Sequence, residues 1–189
     1  VIEALLNSGA DVNVGAGTRY GNALAAAAVS SLVGGRNMAM VQLLLEAGAN
    51  VNAKIGGLHG SPLAVAVRWG SRDVTRLLLT TGADANARIG GSYDSILVAA
   101  AGQKSKEIVQ LLLDGGADVN AQIGELYGSA LVGAAGWGTD GVMQLLLNAG
   151  AGVNAQIGGD CGSALVAAAS RGSKKIMQLL LDAGADINA

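Results

Sequence analysis

The chain has 189 residues, enough for one domain with a sizeable core or for an extended array of smaller units. Apolar residues make up 51% of it, but aromatic residues only 3% and phenylalanine is absent, so any core must be aliphatic. Twelve basic and fourteen acidic side chains provide no net field to attract phosphate backbones, which argues against nucleic-acid binding, and the single cysteine excludes an internal disulfide framework.

A phrase of the form LLxxGADVNA recurs along the chain and organises it. Its glycines are separated by 39 residues once and by 34 residues four times, at Gly9, Gly48, Gly82, Gly116, Gly150 and Gly184. A fixed period in this range is typical of solenoid repeats. We therefore expect a half repeat and then repeats 1 to 5, at residues 1–13, 14–52, 53–86, 87–120, 121–154 and 155–189.

Each repeat contains two short helical patterns. In repeat 2, Ser61 is a favourable N-cap, Pro62 suits the first helical position, and Gly70 is expected to end the first helix. The equivalent caps are Asn22, Ser95, Ser129 and Ser163. The second helix has an apolar face, at Val74/Leu77/Leu78, Ile108/Leu111/Leu112, Val142/Leu145/Leu146 and Ile176/Leu179/Leu180. Helices this short cannot bury their faces alone, so the sequence predicts an all-α solenoid of stacked helix–turn–helix units joined by hairpin loops.

These residues resemble the ankyrin-repeat family along essentially the whole chain. The segment SPLA at 61–64 lies where that family has its T-P-L-H box, and GADVNA closes each unit. The glycine-rich tips and near-identical units are similar to the ankyrin arrays attached to fungal NACHT-type receptors. The resemblance implies an array that engages partners along a concave face. The box histidine is absent, so we expect apolar packing instead of its inter-repeat hydrogen bonds, at Ala25, Ala64, Val98, Val132 and Val166.

One segment suggests a different class of protein. GWGTDG at 136–141 matches the G-x-G-x-x-G spacing of dinucleotide-binding loops. Its counterparts RWGSRD, GQKSKE and SRGSKK lack that spacing, and the segment falls between two helices instead of after a strand. We therefore interpret it as a helix–helix turn and expect no cofactor.

The less common side chains fall into three columns when the repeats are aligned. Every tyrosine, the only histidine and the only cysteine stand two positions before the cap, at Tyr20, His59, Tyr93, Tyr127 and Cys161. A second column, just after the first helix, holds Trp69, Gln103, Trp137 and Arg171. A third column, at the hairpin tips, holds Ala16, Ile55, Ile89, Ile123 and Ile157. Tyrosine and tryptophan are favoured at interfaces, and an isoleucine at a solvated tip suggests a covering partner.

Each column has a structural interpretation as well as a partner-binding one. The Tyr/His column is expected either to stack repeat on repeat or to contact a partner, and the tip isoleucines either to pair sideways or to do the same. Only two repeats carry a tryptophan, so we interpret Trp69 and Trp137 as partner contacts instead of packing requirements. Further partner contacts and specificity are expected from variable positions, namely Lys54, Leu58, Arg68, Arg88, Glu125, Asp160 and Arg171.

Metal binding and nucleophilic catalysis are not favoured. His59 has no second histidine with which to share a metal, and Cys161 lies three repeats away without an aligned base. An enzyme or small-molecule binder would need a pocket with convergent polar groups. We expect a non-catalytic protein without a metal.

Two repeats depart from the pattern. Repeat 1 is longer by five residues, which alignment places within 29–37. The middle repeat has Asp94 in a glycine column and Lys104 at the turn-glycine position. A left-handed lysine would cost about 1 kcal/mol unless Gly102 shifts the turn. We expect the middle repeat to be the locally least stable one.

The preferred function is a recognition module that binds a protein or peptide along the concave face. The alternative is a structural spacer or self-association array, in which the aromatic residues only lock the repeats together. Both ends look like interior sequence without polar caps, so we expect that copies can associate head to tail. No apolar run reaches the roughly 18 residues of a membrane helix, and VIEALLNSGADVN carries no secretory signature, so we expect an intracellular, cytoplasmic protein without membrane contact.

Overall fold

Helices dominate the chain. A computed structural model describes residues 8–15, 20–29, 36–56 (backbone only for 36 and 37), 59–89, 95–121, 128–156 and 162–188. Within these ranges there are ten helices and no strand beyond two isolated bridges. The helices are α1 Ala23–Ala28, α2 Arg36–Glu46, α3 Pro62–Arg68, α4 Arg72–Thr80, α5 Ile96–Gly102, α6 Lys106–Asp114, α7 Ala130–Trp137, α8 Asp140–Asn148, α9 Ala164–Arg171 and α10 Lys174–Asp182. The predicted all-α class is confirmed.

The helices form pairs, and successive pairs stack. The odd-numbered helices are the first helices of repeats 1 to 5, and the even-numbered ones are their second helices. Each first helix packs against the second helix of its own repeat and against the first helix of the next repeat. Second helices of adjacent repeats also contact each other. The result is a solenoid with one continuous aliphatic core. The long junction that the sequence places within 29–37 lies largely outside the described residues.

Side-chain caps fix where the first helices begin. The Asn22 side chain accepts a hydrogen bond from Ala25 N at 2.8 Å, and the Ser61 hydroxyl accepts one from Ala64 N at 3.1 Å. The same cap is made by Ser95, Ser129 and Ser163. Pro62 occupies the first turn, where it forfeits no helical hydrogen bond. The five predicted caps are confirmed.

Left-handed residues follow the first helices of repeats 2 to 5. Gly70 has φ +68 and Gly138 has φ +75, and α8 begins two residues after Gly138. The GWGTDG segment is therefore a helix–helix turn that follows a helix, as predicted. Lys104, with φ +61, is the only non-glycine residue in the described part of the chain that adopts this conformation. Gly102 stays inside α5 and does not shift the turn.

The buried face of the second helices is shifted from the predicted one. In α4, Val74 and Leu78 are buried as expected, but Thr75 is also buried and Leu77 only half-buried. The reason is that α4 packs against neighbouring second helices as well as against α3, which moves the buried sector toward residue 75. The Thr75 hydroxyl is satisfied by donating to the Ser71 carbonyl at 2.7 Å. Val109 and Met143 are buried at the equivalent positions.

Asparagines of the GADVNA phrases link the repeats. Asn86 Nδ2 donates to the carbonyl oxygen of Gly116 at 3.0 Å, and Asn86 Oδ1 accepts from Asp118 N at 2.7 Å. Asp84 Oδ1 holds the Asn86 backbone N–H at 2.9 Å. The two-bond bridge recurs at Asn13, Asn52, Asn120 and Asn154.

Apolar packing replaces the box histidine, as expected, at four of the five positions. Ala25, Ala64, Val98 and Val132 are buried. Val166 in α9 is 43% exposed, because no described residue stacks on that side of repeat 5. Apolar packing is nevertheless only part of the inter-repeat contact, because the asparagine bridges supply hydrogen bonds from another position.

Among the described helices, none combines the length and apolar character needed to span a bilayer.

Candidate functional site

Trp69 is the most exposed of the described aromatic residues that are predicted to contact a partner. It is the C-cap of α3, and 40% of its surface is accessible. Its backbone N–H bonds to the Val65 carbonyl at 3.1 Å, so the base of the side chain is held rigidly at the helix end. Arg68, the last residue of α3, is half-buried beside it. The arrangement presents an indole from a fixed backbone.

Trp137 has a different environment, although it occupies the same column. Its half-buried ring packs on Gly133, one turn earlier in α7, and on Gly102 of the preceding repeat. A methyl group added to Gly133 would lie 2.6 Å from the ring, and one added to Gly102 would lie 3.0 Å from it. The expectation that this tryptophan has no packing role between repeats was wrong. The physical reason is that two glycines leave a slot that the indole fills.

Gln103 and Arg171, the two other residues of this column with described contacts, also contact the preceding repeat. Gln103 donates a hydrogen bond from Nε2 to the Arg68 carbonyl, in the preceding repeat. Arg171 covers Gly138, where an added methyl would lie 2.7 Å from the Arg171 Nε. Both side chains remain exposed overall. The residues that would stand behind Trp69 belong to the junction of repeat 1, of which 30–35 lie outside the described residues.

The Tyr/His column makes one described contact between repeats. The rings of Tyr20 and His59 lie with their centroids 5.6 Å apart and their planes tilted by 34°. Both side chains are half-buried. This contact favours the stacking interpretation for repeats 1 and 2. Tyr93, Tyr127 and Cys161 lie outside the described residues.

The expectation of solvated isoleucines at the hairpin tips was wrong for both described members. Ile55 is 7% exposed and Ile89 is 1% exposed. Ile55 covers Gly21 of the preceding repeat, and the Arg88–Ile89 backbone lies directly over Gly60. Each of these two hairpins therefore contacts the glycine that directly precedes the N-cap of the first helix in the previous repeat. Ala16, Leu58, Ile123, Ile157, Glu125 and Asp160 lie outside the described residues.

A groove of about 710 Å³ runs between the hairpins of repeats 2 and 3. The buried Ile55 and Ile89 form part of its lining, and Lys54 and Arg88 stand at its exposed edge. The hairpin of repeat 2 is closed by a hydrogen bond from Ile55 N to the Gly60 carbonyl at 2.9 Å. Lys54 and Arg88 are both predicted specificity residues, and the sequence signal that they lie together is their equivalent position in consecutive repeats.

Polar groups in the groove do not converge on a catalytic arrangement. Asn52, Asp84 and Asn86 also line it. The Asn52 and Asn86 side chains form inter-repeat bridges, and Asp84 Oδ1 accepts a hydrogen bond from Asn86 N within repeat 2. Within the described ranges, no three His, Cys, Asp or Glu side chains form a metal-ligand group.

Comparison with known proteins agrees with the geometry. The family model described as ankyrin repeats (3 copies) matches residues 1–89 and again residues 96–189. A comparison with curated proteins finds no match. The paired helices, the left-handed turn glycines and the 34-residue period fit the family match. The chain therefore belongs to the ankyrin-repeat family.

Proposed function

We propose that the chain is a non-catalytic recognition module that binds a protein or peptide along the concave face made by its hairpins and first helices. Ankyrin repeats are, in general, protein–protein interaction modules. The observation that carries the proposal is the 40% exposed Trp69 on a rigid helix end. Exposed tryptophans beside arginines are typical hot-spot residues, because they supply a large contact area with few rotatable bonds.

Four described side chains are the proposed contacts around this anchor. Arg68 and Gln103 adjoin Trp69, because Gln103 bonds to the Arg68 carbonyl. Arg171 extends the same column toward repeat 5. Trp137 contributes mainly by packing, with only its accessible edge available to a partner.

Partner capture tests this proposal. The experiment immobilises three chains and exposes each to lysate of the source cell. They are wild type, Trp69→Ala and a control, Gln110→Ala, which lies on the second helix α6. We expect Trp69→Ala to lose proteins that wild type and Gln110→Ala retain, while its melting temperature falls by no more than a few degrees. Equal capture by all three chains, analysed by quantitative mass spectrometry, would contradict the proposal.

A further inference from the structure

We propose that the groove between the hairpins of repeats 2 and 3 binds the carboxylate side chains of an acidic segment in the partner. This inference rests on the proposed recognition function and names the chemistry that one part of the surface selects. The preference for carboxylates comes from two side chains, Lys54 and Arg88, which we call the groove-edge pair.

The groove-edge pair places two cations at one opening. Lys54 and Arg88 are exposed and line the same groove of about 710 Å³. They occupy equivalent positions in consecutive hairpins, one directly before Ile55 and the other directly before Ile89. Both isoleucines are buried, so the backbone that carries each cation is anchored. A ligand side chain entering the groove therefore meets two positive charges from adjacent repeats.

The asparagine side chains of the groove form bridges between repeats. Asn52 bonds to Gly82 and Asp84, at 2.9 and 2.8 Å, and Asn86 makes the same bridge to repeat 3. Asp84 is the only carboxylate of the groove lining, and its Oδ1 accepts from Asn86 N. The groove lining therefore holds two cationic side chains, Lys54 and Arg88, and one carboxylate, Asp84.

The charge distribution along the row of first helices is one-sided, although the whole chain has a net charge of −2. The first helices and their flanking turns, at 61–71, 95–105, 129–139 and 163–173, contain no Asp or Glu but include Arg68, Lys104 and Arg171. Apart from Asp11, every described acidic residue lies on a second helix or in the turn that follows one. Asp94, Glu125 and Asp160, at the tips, lie outside the described residues. The side that carries Trp69 is thus positive within the described part of the chain.

The size of this charged feature favours a peptide over a nucleic acid. Nucleic-acid affinity comes from a series of phosphate contacts along a basic stripe, often with aromatic stacking. The groove has two cations, and none of its lining residues is aromatic. Lys54 and Arg88 give way to Gln122 and Gln156 in repeats 4 and 5, so the basic feature is confined to one end of the hairpin row. One or two acidic side chains of an extended peptide match this extent.

The chain itself supplies the test substitution. Because Gln156 occupies the equivalent described and exposed position in repeat 5, Lys54→Gln with Arg88→Gln removes the charge while keeping a side chain this fold already accepts. Arg72→Gln with Arg76→Gln, on exposed positions of α4, removes the same charge from another face. Both double variants would first be compared with wild type by thermal melting.

The probe is a displayed library of random dodecapeptides. We expect wild type and the α4 control to enrich sequences containing Asp and Glu, and the groove variant to lose that preference. Affinity of a selected peptide, measured by fluorescence anisotropy, should fall about tenfold in the groove variant, the effect of losing about 1.4 kcal/mol of charge-assisted contacts. It should also weaken with added salt, because the pair is exposed.

The outcomes separate the two proposals. Peptides that depend on Trp69 but show no acidic preference, or that bind the groove variant equally well, would overturn this inference and leave the recognition function standing. Failure of wild type to enrich any peptide would remove both. Tighter binding of a 20-nucleotide single-stranded DNA through Lys54 and Arg88 would also overturn it, because the groove would then select phosphate.

Discussion

Asn86 and Gly116 belong to consecutive repeats, and the Asn86 side-chain amide donates to the Gly116 carbonyl at 3.0 Å. The same side chain accepts from Asp118 N at 2.7 Å, so one residue ties two turns of the solenoid together. Stacked repeats depend on such nearest-neighbour terms for their stability. The asparagine bridges therefore fix the turn of each repeat relative to the turn of the next.

Asn86→Ala should lower the free energy of unfolding by about 2 kcal/mol, since two inter-repeat hydrogen bonds of about 1 kcal/mol each are lost. Urea unfolding monitored by circular dichroism measures the change. Asn188→Ala is the matched control, because the Asn188 side chain makes no hydrogen bond to another described residue. Equal losses for the two variants would mean that the bridge contributes nothing.

The two tryptophans should separate stability from binding. Trp137→Ala removes the ring that fills the slot over Gly102 and Gly133, and should cost about 2–3 kcal/mol of stability. Trp69→Ala should cost less than about 1 kcal/mol, because that ring is 40% exposed. Chemical denaturation of both variants checks the difference. A larger loss at Trp69 would instead favour the structural-spacer account.

Lys104→Gly should stabilise the middle repeat by about 1 kcal/mol, because Lys104 has φ +61, a conformation that glycine adopts without strain. The reverse change, Gly172→Lys, should destabilise by a similar amount, since Gly172 has φ +72 and open space around it. Thermal melting measures both. Native-state hydrogen exchange should also show α5 and α6 opening more easily than α7 and α8, and the opposite order would contradict the strain argument.

Gly60→Ala should be more damaging than Gly162→Ala. Both glycines have positive φ, +68 and +56, which costs an alanine about 1 kcal/mol. At Gly60 the new methyl would also overlap the backbone of Arg88 and Ile89, adding about 1–3 kcal/mol, whereas Gly162 has open space. Unfolding free energies of the two variants measure the hairpin contact directly. Identical values would show that the hairpins do not rest on each other.

Features of the fold that depend on local chemistry were predictable from the sequence. Ser61 and Pro62 predict a helix start, because an N-cap side chain bonds to a backbone N–H only three positions along the chain. Lys104 was identified as a turn residue because it replaces a glycine in a periodic column. The repeat period then supplied the architecture, since short amphipathic helices must stack to bury their faces.

Features that depend on distant residues were not predictable in the same way. The Asn86 bridge joins residues 30 and 32 positions apart, and no local rule links them. Its only signal was the repeated asparagine in each GADVNA phrase. The Trp137 slot required two glycines in different repeats, of which Gly133 stands where repeats 2, 3 and 5 have Val65, Ala99 and Ala167. Burial of Ile55 likewise depends on Gly21 in the preceding repeat.

Hydrogen exchange with and without a library-selected peptide tests the recognition account most directly, because it locates the bound surface by residue. We expect slower exchange at the hairpin of residues 53–61, at Arg88 and Ile89, and at the end of α3 around Trp69, with α4 and α6 unchanged. Protection confined to the second helices, or none at saturating peptide, would contradict the claim that this face binds a partner.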